Sequence, residues 1–194
     1  MFNGIIYSNG IVEKISSSKN SLEIVLKTNF SFKKSDLGAS LCCNGACLTI
    51  TRVNKNLASF YLSKETLNKT NFKYIKIGNV INIEKSIKHG NKISGHYVQG
   101  HVDTTGRVVN TTILNKTWIV VFEIQKNFQK YLIEKGSIAI NGVSLTISKI
   151  IKNRFEVNII PHTLKLTNLI RLKKNYEVNI EFDIFCKYLL NLKK

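Results

Sequence analysis

NGACLTI (residues 44–50) and NGVSLTI (residues 141–147) are nearly the same seven residues, written twice in one chain of 194. A shift of 97 residues superimposes them, laying Cys47 on Ser144. The same shift brings Thr66 onto Thr163, Thr70-Asn71 onto Thr167-Asn168, and Asn82-Ile83-Glu84 onto Asn179-Ile180-Glu181. Nearer the N-terminus the shift is 96, matching Gly4 to Gly100 and Gly10 to Gly106. An insertion near Gly38 absorbs the difference. Matches in the same order along both halves mark a duplication. Residues 1–93 and 94–184 form two related modules, each of a size that folds as a domain. A polar, glycine-containing link, Lys88-His89-Gly90-Asn91-Lys92, lies near their boundary, and 185–194 is a tail.

Within each module the local signal is β. Leu22-Glu23-Ile24-Val25-Leu26, Trp118-Ile119-Val120-Val121-Phe122 and Phe155-Glu156-Val157-Asn158-Ile159 are short and β-branched or aromatic, with partial alternation. Asn44-Gly45 and Asn141-Gly142 predict tight hairpin turns, because both residue types tolerate positive φ. Many short strands joined by turns predict a small barrel in each module. Helix is expected over 127–134 (NFQKYLIE) and in the tail from Asp183 to Leu192. There Phe185, Tyr188, Leu189 and Leu192 share one face at i, i+3, i+4, i+7. About ten residues do not hold a helix alone, so this face should dock on its own barrel or on another chain.

Composition excludes several classes. Hydrophobic residues make up 43% of the chain, too many for a disordered protein. No apolar run approaches the roughly 18 residues of a membrane span, and Met1 to Ile6 lacks the basic lead of a signal peptide. A soluble cytoplasmic protein is expected. Cys42, Cys43, Cys47 and Cys186 show neither a secreted disulfide framework nor the paired spacing of a zinc site. No metal is expected, and reduced thiols fit the cytoplasm. The net charge of +17 is the usual footprint of a nucleic-acid partner. Its lysines, however, are spread along the chain, the densest groups being pairs such as Lys33-Lys34 and Lys173-Lys174. A solvated basic surface is the better reading, with no nucleic acid and no membrane as partners.

Two constellations carry chemistry. In a strand, i and i+2 face one side, so Cys47 pairs with Thr49 and Ser144 with Thr146. Sparse hydrogen-bonding groups of this kind suit a flat polar heterocycle, and their duplication favours a duplicated ligand site over ordinary packing. The second constellation is SGHYVQGHVD (94–103), which holds two of the four histidines, His96 and His101, each after a glycine. Imidazole titrates near neutrality and handles protons. The first module has Phe2-Asn3-Gly4-Ile5 where the second has Val98-Gln99-Gly100-His101, so this histidine exists in one copy only. Duplicate sites with different polar groups suggest two equal ligands in unequal roles.

MFNGII (1–6), NGACLTI, SGHYVQGHVD, KGSIAINGVSLTI (135–147) and IIPHTL (159–164) together resemble the riboflavin synthase family over essentially the whole chain. The resemblance implies a mainly β fold of two six-stranded antiparallel Greek-key barrels and a short C-terminal helix. It implies a transferase that dismutates two molecules of 6,7-dimethyl-8-ribityllumazine. One donates a four-carbon unit to the other, giving riboflavin and 5-amino-6-(ribitylamino)uracil, with no cofactor. It implies two lumazines per chain and a homotrimer in which the reacting pair meets between barrels of neighbouring subunits. It also raises an association with lumazine synthase. Carried over by motif, His101, His96, Ser144 and Cys47 handle protons or lie at the reacting carbons. Ligand contacts fall to Phe2, Gly4, Ile5 and Ile6; to Leu48 and Thr49; and to Tyr61, Leu62, Ser63, Lys64, Glu65 and Thr66. They fall also to Gly100 and Val102, to Lys135, Leu145 and Thr146, to Asn158, Ile159, Ile160, Pro161, His162 and Thr163, and to Asp183.

Three departures from the family pattern stand out. Asn3 replaces the usual Thr. Asn175 stands where Gly78 stands in the first module, so the turn there is expected to differ. The chain ends at Lys194, whereas the family's trimerising helix usually runs further. A shorter helix buries less apolar surface, so a weaker trimer and concentration-dependent activity are expected. The alternative is a non-catalytic lumazine- or flavin-binding protein of the same fold, which should lose reactive groups from one half.

Overall fold

The computed structural model describes residues 1–192; Lys193 and Lys194, the end of the expected tail helix, lie outside the described residues. The first barrel comprises β1 (Ser8–Ser18), β2 (Ser21–Thr28), β3 (Ser40–Cys43), β4 (Ala46–Asn54), β5 (Leu57–Leu62) and β6 (Val80–Lys85). A short helix, α1 (Lys64–Lys69), precedes β6. The second comprises β7 (Thr104–Leu114), β8 (Thr117–Glu123), β9 (Ser137–Ile140), β10 (Val143–Ile151), β11 (Arg154–Ile159) and β12 (Glu177–Phe182), with α2 (Pro161–Leu166) before β12. Both barrels close in the same antiparallel order, β1-β2-β5-β4-β3-β6 and its counterpart. Even the bulges repeat, at Val12/Lys14 and Val108/Asn110 and again at Ile50/Arg52 and Ile147/Lys149. Bulges tighten local twist, which helps short sheets curl into closed barrels.

The two Asn-Gly pairs form the two-residue hairpins between β3 and β4 and between β9 and β10. Asn44 and Asn141 sit at φ 45° and 46°, Gly45 and Gly142 at 83° and 78°, the left-handed pair a primed turn needs. Alternation along the strands sends Ile24, Leu26, Phe60 and Ile83 into the first core, and Val120, Phe122, Val157 and Ile180 into the second.

Two local expectations change, and two short helices appear that the sequence does not announce. The segment expected as helix over 127–134 forms a 3-10 helix at Lys126–Tyr131, closed by the Leu132 amide on the Gln129 carbonyl. α1 and α2 are each six residues long, too short for an apolar stripe to announce them. The repeated Thr70 and Thr167 explain where they stop: each hydroxyl accepts the amide two residues on and starts a 3-10 turn. The turn at Asn175 does not differ from that at Gly78. Asn175 takes φ 69° against 85°, and both amides bond the matching β1 and β7 carbonyls, Val12 and Val108, at 2.8 Å. Asn tolerates that backbone where most residues do not. The tail forms α3 (Ile184–Leu192), with Cys186 buried against the second barrel and Phe185, Tyr188, Leu189 and Leu192 exposed.

Candidate functional site

Each module's leading segment leaves its own barrel and docks on the other. Phe2 and Val98, equivalent residues, pair across the seam through mutual N–H···O bonds of 2.7 and 3.1 Å. The Gly4 carbonyl then accepts the Ser144 amide, and the Gly100 carbonyl accepts the Cys47 amide, each at 2.8 Å. Ile6 completes the second barrel's core, while Val102 packs against the first. Both glycines sit at positive φ, and a β-carbon on either would fall 2.6–2.7 Å from the Cβ of Cys47 or Ser144. No other residue permits that approach.

Buried carboxylates hold these segments. Glu84 accepts the Asn3 and Gly4 amides at 2.7 and 2.9 Å. Glu181 accepts those of Gln99, Gly100 and His101 at 2.7, 2.9 and 3.0 Å. Burial pushes Glu84 up to about 7, opposed by the amides of Asn3 and Gly4. Burial raises Glu181 as well. The sequence does not single out these anchors; an acidic residue repeated inside an apolar strand is the signal that a buried charge with partners lies there, though not which partners. The seam is closed by asparagines. Asn82 Nδ2 donates to the Asn141 carbonyl at 3.0 Å and Asn179 Nδ2 to the Asn44 carbonyl at 2.8 Å. Gly45 and Gly142 meet backbone to backbone between them.

The crossing creates two related clefts. The first, about 300 Å³, gathers Cys47, Leu48, Glu65, Thr66, Gly100, His101 and Val102. The second, about 330 Å³, gathers Lys135, Ser144, Leu145, Thr146, Asn158, Ile160 and Thr163. Cys47, Leu48 and Thr66 occupy the same positions in the first as Ser144, Leu145 and Thr163 in the second. His101 is exposed in the mouth of the first. Lys69 and Thr70 in the first cleft and Ser148 in the second were not singled out by sequence. Larger clefts exist beside Asn3, Tyr7 and Lys85, about 650 Å³, and at Asn71, Tyr74 and Tyr176, about 520 Å³. Neither contains a histidine, Cys47 or Ser144, so the duplicated pair is the better candidate.

The remaining candidates fall around this pair. Thr49 lies on the outward face of β4, as Cys47 does, and Tyr61 is exposed on β5. Ser63 caps α1 by accepting the Thr66 amide, and Lys64 is the first residue of that helix. Pro161 and His162 open α2 and are exposed. Ile5 borders the larger cleft beside Glu84. Phe2 is wholly buried at the seam, with Cys47 packed against its cluster. Leu62, Ile159 and Ile6 point into the barrel cores, not the clefts.

His96 Nδ1 lies 2.7 Å from Ser144 Oγ, and its Nε2 is buried without a partner. Burial lowers the His96 pKa below its usual value, and the nearby Asp183 carboxylate partly offsets this. Asp183 itself accepts the Phe185 amide at the start of α3. A neutral imidazole beside a half-exposed hydroxyl can serve as a proton acceptor for a nucleophile. The two clefts therefore offer unlike chemistry, a thiol with an exposed imidazole and a hydroxyl with a buried one. Among the described residues, no three His, Cys, Asp or Glu side chains cluster as metal ligands would.

Two segments, 3–86 and 99–183, each match the model of the lumazine binding domain. Riboflavin synthase of Photobacterium phosphoreum is 34% identical over 193 residues, 99% of this chain and 88% of that one. Those of Buchnera aphidicola subsp. Schizaphis graminum and Escherichia coli are 37% and 36% identical. They cover 100% and 94% of this chain, and 94% and 87% of their own lengths. Among solved structures, LumP complexed with riboflavin superposes with a TM-score of 0.84 at 27% identity, covering 94% of this chain and 99% of its own. LumP complexed with 6,7-dimethyl-8-(1'-D-ribityl) lumazine gives 0.81 at 28%, covering 93% and 98%.

Proposed function

The chain belongs to the riboflavin synthase family of lumazine-binding proteins, and on that premise we propose that it is a transferase that dismutates 6,7-dimethyl-8-ribityllumazine. One lumazine gives up a four-carbon unit and leaves as 5-amino-6-(ribitylamino)uracil; the other gains it and becomes riboflavin. The observation that carries this reading is the pair of equivalent clefts furnished with different reactive groups, Cys47 and His101 in one, Ser144 and His96 in the other. Identical pockets would suit a binding protein. Unlike ones suit two identical molecules that must play donor and acceptor.

The positions of these groups support the following chemistry. The lumazine C7 methyl is acidic because its carbanion delocalises into the ring, so a base starts the reaction. A second ring must be attacked at carbon, which the Ser144 hydroxyl assists while His96 Nδ1 takes up its proton. His101 stands free at the first cleft for the methyl proton. Holding two rings in contact contributes several kcal/mol, about 7–11 in the best cases. The rings meet between the first barrel of one subunit and the second barrel of a neighbour in a homotrimer. The exposed apolar face of α3, Phe185, Tyr188, Leu189 and Leu192, supports such an assembly. No cofactor enters.

Calorimetric titration with the lumazine tests the duplicated site, and two bound molecules per chain are expected; a single site would contradict it. The alternative is the role of a binding protein without turnover, favoured by the likeness to LumP structures holding riboflavin and the lumazine. Under that reading, His101→Ala and Ser144→Ala leave nothing to lose except affinity.

A further inference from the structure

We propose that Cys42 and Cys47 form a site of reversible oxidation, in which a cross-strand disulfide draws the Cys47 sulfur out of the first cleft. Cys42 on β3 stands directly opposite Cys47 on β4. The hairpin register makes Cys43 and Ala46 the pair beside the turn and Cys42 and Cys47 the next one out. The Cys47 amide turns away from β3 to the Gly100 carbonyl, which makes Cys42 and Cys47 a non-hydrogen-bonded pair. Such pairs place their Cα atoms about 4.5 Å apart with side chains on one face. Disulfides span about 4.4–6.8 Å between Cα atoms. Cys42 belongs to the seam cluster of Phe2, Val98 and Ala139, against which Cys47 packs. Cys43 points the other way, into the first barrel's core.

The two thiols differ in access. Cys42 is wholly buried, and Cys47 is half-buried and lines the cleft. A peroxide therefore meets Cys47 first. Its thiol takes one oxygen to become a sulfenic acid, releasing water. The Cys42 thiol then attacks that sulfur, the S–S bond forms, and a second water leaves. The two sulfurs lose two electrons, and the peroxide O–O bond accepts them. A small thiol reductant entering the cleft attacks the Cys47 sulfur and reverses the step.

The duplication supplies an internal comparison. The second module pairs Ala139 with Ser144 at the equivalent register. Oxidation can therefore disable the first cleft and leave the second untouched. Ala139 also shows that alanine fits at the position of Cys42, since both are wholly buried.

The full-length chain is treated with limiting hydrogen peroxide, and free thiols are counted before and after dithiothreitol, with the bridged peptide sequenced by mass spectrometry. Wild type should lose two of its four free thiols and recover both, and Cys43→Ala should still lose two reversibly. Cys42→Ala, or Cys42→Ser should the alanine variant not fold, should form no bridge while unoxidised activity is kept. A bridge that survives in the Cys42 variants, or no bridge in wild type, overturns the proposal. The functional arm rests on the lumazine-binding reading: oxidised wild type should bind one lumazine per chain in place of two. Two bound after bridging would overturn the loss of the first cleft. Because the thiol count needs no ligand, failure of the lumazine reading leaves it standing.

Discussion

The candidate site residues take their character from what surrounds them. Ser144 is half-exposed, yet the imidazole 2.7 Å away is buried and held neutral. Ser144→Ala and His101→Ala should each cut turnover by about 100-fold or more, with lumazine affinity changed far less; steady-state rates beside calorimetric affinities check this. His96 adds a pH signature. Its folded pKa lies below the ordinary value of 6.5, so it stays neutral at neutral pH and gains a proton only as pH falls through the lowered value. Turnover should therefore fall on that acid limb, and His96→Gln should remove the limb as well as most of the rate. A limb unchanged in His96→Gln would assign it to another group. The histidines and the Cys47/Ser144 exchange were visible in sequence because the duplication set them against one another. The anchoring of His101 by Glu181 was not, because a carboxylate in a strand does not reveal which distant amides it holds.

At the scale of elements, the hairpins and strands were legible because two-residue turns and alternation are local physics. Asn-Gly placed both turns, and Leu22–Leu26 and Phe155–Ile159 became strands. The 127–134 segment suggests α-helix but forms a 3-10 helix, because two aromatics and a leucine packed toward a core mimic helical spacing over one short turn. The crossing of the leading segments left no mark: Ile6 and Val102 look like ordinary first-strand residues whichever core they fill. Glycine contacts at the seam give a stability prediction. Gly142→Ala forces a β-carbon against the Gly45 backbone at a positive φ and should cost about 1–3 kcal/mol by denaturant unfolding. Gly90→Ala, which meets nothing nearby, should suffer only from its φ. Glu84 gives a pH prediction of known sign. Its folded pKa of about 7 exceeds the ordinary 4.5. Its contribution is thus fully present below 4.5 and is lost as pH rises through 7. Glu84→Gln should flatten that loss, by on the order of 3 kcal/mol; parallel pH slopes for the two proteins would contradict it.

At the scale of the molecule, the duplication has become a reciprocal clasp. Each barrel is completed by the other's leading segment, through one pattern of glycine carbonyls, buried carboxylates and asparagines used twice. The exposed apolar face of α3 is the surface through which the proposed assembly would form. Leu189→Asp should leave the barrels folded, shift the protein toward monomer in sedimentation, and lower specific activity on dilution. Mixing a His101→Ala protein with a Ser144→Ala protein should restore part of the lost activity, since one mixed interface would hold both intact clefts. No recovery after subunit exchange would place the reacting pair within one chain. The measurement that tests the central claim most directly is incubation of the purified protein with 6,7-dimethyl-8-ribityllumazine and nothing else, followed by absorbance. The account predicts riboflavin, with 5-amino-6-(ribitylamino)uracil formed in equal amount. Lumazine that binds and is recovered unchanged at every protein concentration would contradict it.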